Sequence, residues 1–274
     1  MRQQHTWTSD NLDLNGLYAG RCFESLCQQS SMSLVELVFN EWQQIFRCAP
    51  QMVHESYSNI EIVSKLKLLR FQLASMSRIQ TLQAEVVLES GFPDKRFLLD
   101  ALRLRVVTPE MPAISEAKPV FYTHRDTWYA NPIDQVNFWI PIHEVSSDST
   151  VEIFTRYFQH PILNNSECFD YGYFSSNVGW QSPKADHSHS YPKSLIEPNG
   201  PRLSIQGASG TVWCFSGQHL HRTCRQPLLS RVSIDFRCCP IQADALSIPH
   251  HVDNRSTGSA KDDFIFVNGC NLIR

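Results

Sequence analysis

The sequence predicts an α+β protein in which helices come first and a mostly antiparallel sheet follows. In the first third of its 274 residues, apolar side chains recur every three or four positions, as they do on one face of a helix. From about Arg96 the apolar residues alternate with their neighbours at a period of two, which is typical of strands, and clusters of Pro, Gly, Asn and Ser separate these runs. Helices placed before strands favour the α+β class, with the helices bracing one face of the sheet.

Three helices are predicted before the change of period. The run over residues 34–46 has apolar residues at helical spacing, and Ser33 with Glu36 fits a capping box at its start. The runs over residues 60–73 and 78–89 follow, and a Ser-Gly pair marks the end of the last one. We expect these helices to support the strands that come after them.

Three strands are predicted most clearly, over residues 102–107, 135–142 and 231–236. In each of them the side chains point alternately to the two faces of the sheet. In the last strand, the apolar residues Val232 and Ile234 share a face that would pack against the helices. The opposite face is polar, as the wall of a binding site should be.

The chain is expected to form one domain over residues 1–274. Within it we expect helical support at about 31–95, the β core at about 96–240 and a C-terminal extension at 241–274. Residues 180–201 are rich in Ser, Pro, His and Lys and are predicted to be a long surface loop.

The composition narrows the class of protein. Hydrophobic residues make up 42% and charged residues 19% of the chain, as in ordinary soluble globular proteins. The net charge is −3 and no stretch concentrates Lys or Arg, which argues against nucleic acid or an anionic membrane as a partner. No apolar run is long enough to cross a membrane. The nine cysteines form no CxxC pair, so free thiols and a cytoplasmic location are expected.

The segment His124-Arg125-Asp126 carries the first sign of chemistry. In extended backbone, residues two apart point to the same side with Cα atoms about 7 Å apart, so His124 and Asp126 can meet at one cation while Arg125 faces away. One imidazole and one carboxylate are two of the three ligands of the facial triad that suits iron(II). The alternative is a strand-end pair satisfied by hydrogen bonds. A second such motif, His251-Val-Asp253, lies in a polar segment with no His after it and is interpreted as a surface feature.

A second segment, residues 210–237, supports the interpretation of His124-Arg125-Asp126 as part of a metal site. It is predicted to be a strand, a short turn, a His-containing stretch, a loop, and then a strand that opens with Arg231-Val-Ser233. A dicarboxylic co-substrate needs a permanently charged, forked donor, which Arg231 supplies, and Ser233 faces the same way to add a hydrogen bond.

In this combination the chain resembles the iron(II)/2-oxoglutarate-dependent oxygenases. It is most similar to the phytanoyl-CoA dioxygenase-like branch, and within that to small-molecule tailoring enzymes of the streptomycin-biosynthesis type. The resemblance covers roughly residues 34–237 in segment order. It rests on four segments, which are Leu102-Arg-Leu-Arg-Val, His124-Arg-Asp-Thr-Trp-Tyr, Gln135-Val-Asn-Phe-Trp-Ile-Pro141 and Ser233-Ile-Asp-Phe-Arg237.

The resemblance implies a double-stranded β-helix, or jelly-roll, with iron bound inside one end. It implies that His124, Asp126 and His221 are the iron ligands and that Arg231 with Ser233 holds 2-oxoglutarate. It also implies O2 as oxidant, with 2-oxoglutarate decarboxylated to succinate while an unactivated C–H of a small molecule is hydroxylated, desaturated or cyclised. His219, two residues before His221 and therefore expected on the same side, remains an alternative distal ligand or a pocket residue.

Further residues are candidates beside these. Asn137 and Gln135 share a strand face and are expected to donate to the co-substrate, or else to belong to a self-satisfied polar interior. Arg105 is a candidate anchor for a substrate carboxylate, with a solvated strand face as the alternative. Trp128 is expected to line the mouth of the site, unless it serves only in packing.

Two other classes of protein remain open from the sequence. Zinc also accepts two His and one carboxylate, so a zinc hydrolase on the same scaffold is one alternative. A non-catalytic, cupin-like metabolite-binding protein is the other. The substrate is expected to be a small polar molecule, amino-acid-like in character, and the sequence leaves the oligomeric state open.

Overall fold

A computed structural model of the chain describes residues 6–8, 12–26, 28–113, 115–178, 191–224, 229–241, 248 and 253–273. These residues combine helices with mostly antiparallel sheets, so the predicted α+β class is confirmed. Most of the predicted surface loop, at 180–190, lies outside the described residues, and so do residues 249–252, which include the His of the second His-x-Asp motif. Among the described helices, none is long and apolar enough to cross a membrane.

Five of the six α-helices in the described residues lie in the first third of the chain, where helices were expected. In chain order the described residues form α1 (Leu14–Tyr18), α2 (Gln29–Phe46), α3 (Val53–Ser56), α4 (Asn59–Ser75), α5 (Ser77–Glu89) and the single turn α6 (Tyr171–Tyr173). The predicted helices at 60–73 and 78–89 are confirmed as α4 and α5, with ends close to those expected.

The start of α2 differs from the prediction. The helix begins at Gln29, so Ser33 lies inside its first turns and does not cap it. The carboxylate of Glu89, at the end of α5, instead accepts hydrogen bonds from the backbone N–H groups of Gln29 and Ser30, each at 2.9 Å. The first free N–H groups of α2 are thus satisfied by a side chain far away in sequence. The capping box of Ser33 and Glu36 was expected to fill this role.

The strands form two sheets. In chain order they are β1 (Thr6–Thr8), β2 (Cys22–Ser25), β3 (Arg96–Leu99), β4 (Arg103–Val107), β5 (Val136–Pro141), β6 (Val151–Phe154), β7 (Arg202–Ile205), β8 (Val212–Ser216), β9 (His221–Thr223), β10 (Arg231–Pro240), β11 (Ile265–Asn268) and β12 (Asn271–Ile273). Within the described residues the larger sheet has nine strands in the order β1-β2-β8-β5-β10-β3-β11-β12, with β4 also paired to β10. The smaller sheet has the order β7-β6-β9.

The two faces of the larger sheet differ in polarity. Val232, Ile234 and Phe236 of β10 are fully buried in the core formed with the helices, as predicted. The other face, called the inner face here, packs against the smaller sheet through a cluster that joins Trp139 of β5 to Ile153 of β6. Since side chains alternate along a strand, the residues two apart on β10 from Arg231 onward lie on this inner face.

Candidate metal centre

Three side chains from two distant segments of the chain come together between the two sheets. His124 and Asp126 lie in the segment before β5, and His221 begins β9. The two segments are joined by paired backbone hydrogen bonds between His124 and His221, at 3.0 and 2.9 Å. One ligand atom from each of the three side chains lies within 4.8 Å of the others, so the predicted His-Asp-His set could hold a metal ion.

The hydrogen bonds of the two histidines direct their free nitrogens to one point. Nδ1 of His124 lies 2.8 Å from the carbonyl oxygen of Tyr122, and Nδ1 of His221 lies 2.9 Å from that of His219. Since a carbonyl only accepts, each Nδ1 carries the proton and each Nε2 keeps a lone pair. These Nε2 atoms lie 3.6 and 3.9 Å from Oδ1 of Asp126. Both of these distances are short enough for a shared cation, since two ligands bound at about 2.1 Å lie at most about 4.2 Å apart.

The second oxygen of Asp126 is held by two amides, one just before β5 and one on it. Oδ2 accepts hydrogen bonds from Nδ2 of Asn137 at 2.6 Å and from Nε2 of Gln135 at 3.0 Å. The backbone N–H of Asp126 donates to the carbonyl of Gly217 at 2.9 Å. A Cβ at Gly217 would lie 3.0 Å from Nε2 of Gln135, so glycine leaves room for that amide. The two amides expected at the co-substrate therefore lie against the Asp126 carboxylate.

Arg237, which sequence reasoning did not single out, lies next to this carboxylate. Its Nη2 is 3.9 Å from Oδ1 of Asp126, and its Nη1 is 3.3 Å from Oδ1 of Asn131 and 3.5 Å from Oδ2 of Asp100. Burial alone would raise the pKa of Asp126, but the charge of Arg237 and the two nearby imidazoles outweigh it and hold that pKa well below its usual value. The carboxylate is thus ionised and able to bind a cation. Arg237 is an even number of residues after Arg231 on β10, so the alternation of side chains would have predicted that it lies on the inner face.

His219 does not join the metal-binding group. It lies in the turn between β8 and β9, where the alternation of a strand does not apply, so the prediction that it faces the same side as His221 is wrong. Its Nδ1 and Nε2 lie 3.1 Å from the carbonyls of Ser216 and Gly20, respectively. Both ring nitrogens are therefore engaged in backbone contacts away from Asp126.

Arg231 and Ser233 face the same inner space from β10. Both are buried, and Nη2 of Arg231 lies 3.4 Å from Oγ1 of Thr223, which is two residues along β9 from His221. Among the described residues, Nε and Nη1 of Arg231 and Oγ of Ser233 have no hydrogen-bond partner. Burial lowers the pKa of this guanidinium to about 10, so it stays charged near neutrality. A buried charge with free donors fits an anionic ligand that would satisfy it.

Arg105 lies on the same face, opposite Ser233 in the sheet register. Its Nε donates to Oδ1 of Asp235 at 2.8 Å, and its side chain is 42% exposed. Neither of its terminal nitrogens makes a hydrogen bond to any described residue. Nearby, a cleft is lined by the charged side chains of Asp100, Arg103, Arg237 and Asp263, together with Tyr171. Cationic and anionic groups therefore both face the space beside the metal-binding group.

Trp128 is not brought to the metal-facing atoms. It is fully buried among Phe154, Tyr157, Ile162 and Leu220, which corresponds to the packing alternative. Its Nε1 lies 3.4 Å from Oδ1 of Asp253. The interpretation of the second His-x-Asp motif as a surface feature is wrong for its aspartate, because Asp253 is only 7% exposed and forms an ion pair with Arg125.

Comparison of the sequence with known protein families gives no match, and comparison with curated proteins gives none either. Comparison with solved structures gives distant likenesses. HygX from Streptomyces hygroscopicus, solved with nickel and 2-oxoglutarate bound, is 14% identical, covers 83% of this chain and 86% of its own, and has a TM-score of 0.40. The epimerase SnoN, in complex with Fe3+, alpha ketoglutarate and nogalamycin RO, is 13% identical, covers 92% of this chain and 98% of its own, and has a TM-score of 0.41. A nickel complex of the non-heme monooxygenase ThoJ is 11% identical, covers 77% of this chain and 70% of its own, and has a TM-score of 0.39.

Proposed function

We propose that the protein is an iron(II)- and 2-oxoglutarate-dependent oxygenase that oxidises an unactivated C–H bond of a small polar, amino-acid-like molecule. His124, Asp126 and His221 are the metal ligands, and Arg231 with Ser233 binds the distal carboxylate of 2-oxoglutarate. The two facing sheets are assigned to the double-stranded β-helix that this class of enzyme uses. When bound, the iron and its co-substrate supply an O2-derived oxidant, with 2-oxoglutarate converted to succinate and carbon dioxide.

The observation that carries the proposal is the set of buried donors left free at Arg231 and Ser233, close to a His-Asp-His group. A zinc hydrolase has no need of a buried guanidinium beside its metal, whereas a dicarboxylic co-substrate does. Through Thr223, Arg231 is linked to the strand that begins with His221. The same inner space therefore offers a metal-binding end and an anion-binding end.

The protein's own residues have three roles in this reaction. Asn137 and Gln135 fix the orientation of the Asp126 carboxylate, so that Oδ1 faces the metal. Arg231 orients the co-substrate with a forked pair of hydrogen bonds. The apolar residues around Trp139 and Ile153 keep bulk water out of the space between the two sheets. A reactive oxidant formed there would be protected from water.

The substrate is assigned to the inner face beside Arg105. This guanidinium has terminal nitrogens free to hold a carboxylate, and it lies opposite Ser233 in the sheet. A cationic anchor at this place favours a molecule that carries a carboxylate over a purely apolar one.

The test is conversion of 2-oxoglutarate to succinate by the purified protein with iron(II) and a panel of amino acids and amino sugars. We expect succinate formation above background, and we expect it to be lost in His124→Ala and Asp126→Ala. His160→Ala is the matched control, because that imidazole is exposed and lies outside the metal-binding group. Succinate formation that persisted in both ligand variants would overturn the metal assignment, and ester or amide hydrolysis with zinc in its place would favour the hydrolase.

A further inference from the structure

The side chain between the first two proposed metal ligands is unusually well held. Arg125 is 0% exposed and points away from the metal-binding group. Its Nη1 donates to the carbonyl of Gln218 at 2.6 Å, and its Nη2 donates to the carbonyls of Tyr157 and His160 at 2.7 and 3.0 Å. One guanidinium thus ties the His-Arg-Asp segment to the turn before His221 and to the segment after β6.

The counter-charge for Arg125 comes from far along the chain. Oδ2 of Asp253 lies 3.2 Å from Nε and 3.1 Å from Nη2 of Arg125, and it also accepts the backbone N–H of Ile162 at 3.1 Å. The carbonyl of Asp253 accepts a hydrogen bond from Nδ2 of Asn164 at 2.9 Å. Asp253 is therefore itself fixed in place on two sides, and its position decides where the buried guanidinium can lie.

These contacts reach all three proposed metal ligands through the backbone. Gln218, which accepts from Arg125, directly follows Gly217, whose carbonyl holds the N–H of Asp126. The same turn leads into His221, which pairs with the backbone of His124. A movement of the guanidinium would therefore shift the segments that carry the ligands relative to one another.

We infer that Asp253 is a positioning residue of the metal centre, which sets the geometry of the three ligands through its buried ion pair with Arg125. The inference rests on the proposed function in that it takes the His-Asp-His group to be the metal site. It gives the segment after β10 an indirect part in metal binding, beyond that of an extension of the β core. Groups that hydrogen-bond to metal ligands change metal affinity without contacting the ion. Asp253 acts one step further out, through Arg125.

The test uses the full-length apo protein with cobalt(II) as the probe, measured by titration and by the visible absorption of the bound ion. We expect Asp253→Asn to bind cobalt(II) about 10- to 100-fold more weakly and with an altered absorption band. Asp253→Glu, which keeps the charge, should recover part of the affinity. Glu167→Gln is the matched control, because it removes a carboxylate from an exposed pair with Arg255 in the same neighbourhood, with side chains 58% and 48% exposed.

A variant that leaves Arg125 buried without a counter-charge can fail to fold. The double variant Arg125→Gln with Asp253→Asn removes both charges together and keeps polar groups at both positions, and circular dichroism establishes whether it is folded. A folded double variant with weakened cobalt(II) binding supports the inference, and one with wild-type affinity and absorption overturns it. Wild-type affinity in His124→Ala would instead overturn the metal centre itself, and with it this inference.

Discussion

The Asp126 carboxylate shows how single residues prepare the proposed metal centre. One of its oxygens faces the two histidines while the other accepts hydrogen bonds from Asn137 and Gln135. An amide is suited to this place because it donates without adding charge. A carboxylate ligand held in this way presents one oxygen to an ion and loses little freedom when the ion binds.

Asn137→Ala separates the two roles considered for this amide. Because the variant removes the shorter hydrogen bond to Asp126, we expect metal affinity to fall about 10- to 100-fold. The measurement is an iron(II) or cobalt(II) titration of the apo protein. Asn165→Ala is the control, because this partly buried amide bonds to the backbone of Lys193 and not to Asp126. Unchanged metal affinity together with a higher 2-oxoglutarate requirement would return Asn137 to the co-substrate role expected from the sequence.

Arg231→Ala tests the proposed anion site. Loss of the guanidinium should weaken 2-oxoglutarate binding by about 2–4 kcal/mol, roughly thirty- to a thousand-fold, as when one partner of a buried charge pair is removed. Arg231→Lys should recover only part of this, because an ammonium lacks the forked geometry. The readout is the 2-oxoglutarate concentration that half-saturates succinate formation, with metal binding unchanged. Equal 2-oxoglutarate requirements in the wild type and both variants would contradict the assignment of the anion site.

The sequence predicted some site residues for a clear physical reason. His124 with Asp126, and Arg231 with Ser233, are pairs two residues apart in extended backbone, where local geometry fixes the side. The prediction that His219 faces the same side as His221 failed because the chain turns at that point. The partner of Arg125 lies 128 residues further along, at Asp253, and no local spacing reports such a contact.

Among the elements, α2 depends on a contact that its own sequence does not contain. The Glu89 carboxylate at the end of α5 accepts the first N–H groups of α2 and also the hydroxyl of Ser30. Although partial burial opposes ionisation, the hydrogen bonds from Ser30 and from the backbone lower the pKa of Glu89. A charged carboxylate at this end also complements the helix dipole.

Glu89→Ala should therefore destabilise the helical support without altering the site. We expect the free energy of unfolding to fall by about 1–2 kcal/mol, the usual cost of a lost N-terminal cap. Urea denaturation measures the change, and Glu85→Ala is the control, because Glu85 lies on the same helix in a partly exposed pair with Arg78. A similar loss in both variants would show that the cap contributes no more than an ordinary surface charge.

The elements that the sequence predicted best are those defined by their own periodicity. The strand over 231–236 and the helices over 60–73 and 78–89 are all present. The start of α2 and the order of strands in the sheets were not predictable in this way, because both are decided by contacts between segments far apart in the chain.

At the scale of the whole molecule, one buried and one largely buried histidine make the free energy of unfolding depend on pH. Burial is the largest cause that lowers the pKa of His219 and of His221 to about 4, from an ordinary value of 6.5. The unfolded chain therefore takes up protons at these sites before the folded one does. The stabilisation that comes from these two neutral histidines is fully present above their pKa in the unfolded chain. It is lost as the pH falls from 6.5 towards 4.

We expect the unfolding free energy of the metal-free protein to fall by about 1.4 kcal/mol per pH unit for each of these histidines within that window. Asp126 does not add to the effect there, because the pKa of its carboxyl is already lowered in the folded state and the unfolded group is ionised as well. Urea denaturation at a series of pH values measures the slope, and His221→Asn should reduce it by about 1.4 kcal/mol per pH unit. A slope that is the same in the variant would contradict this origin.

Because side chains alternate along β10, substitutions on its two faces have different effects. In this ten-residue strand, Val232, Ile234 and Phe236 belong to the core shared with the helices, while Arg231 and Arg237 face the proposed site. Substitutions at the even positions are expected to change the stability of the domain, and substitutions at the odd positions are expected to change the binding of metal and co-substrate. Binding and folding can therefore be altered separately within a single strand.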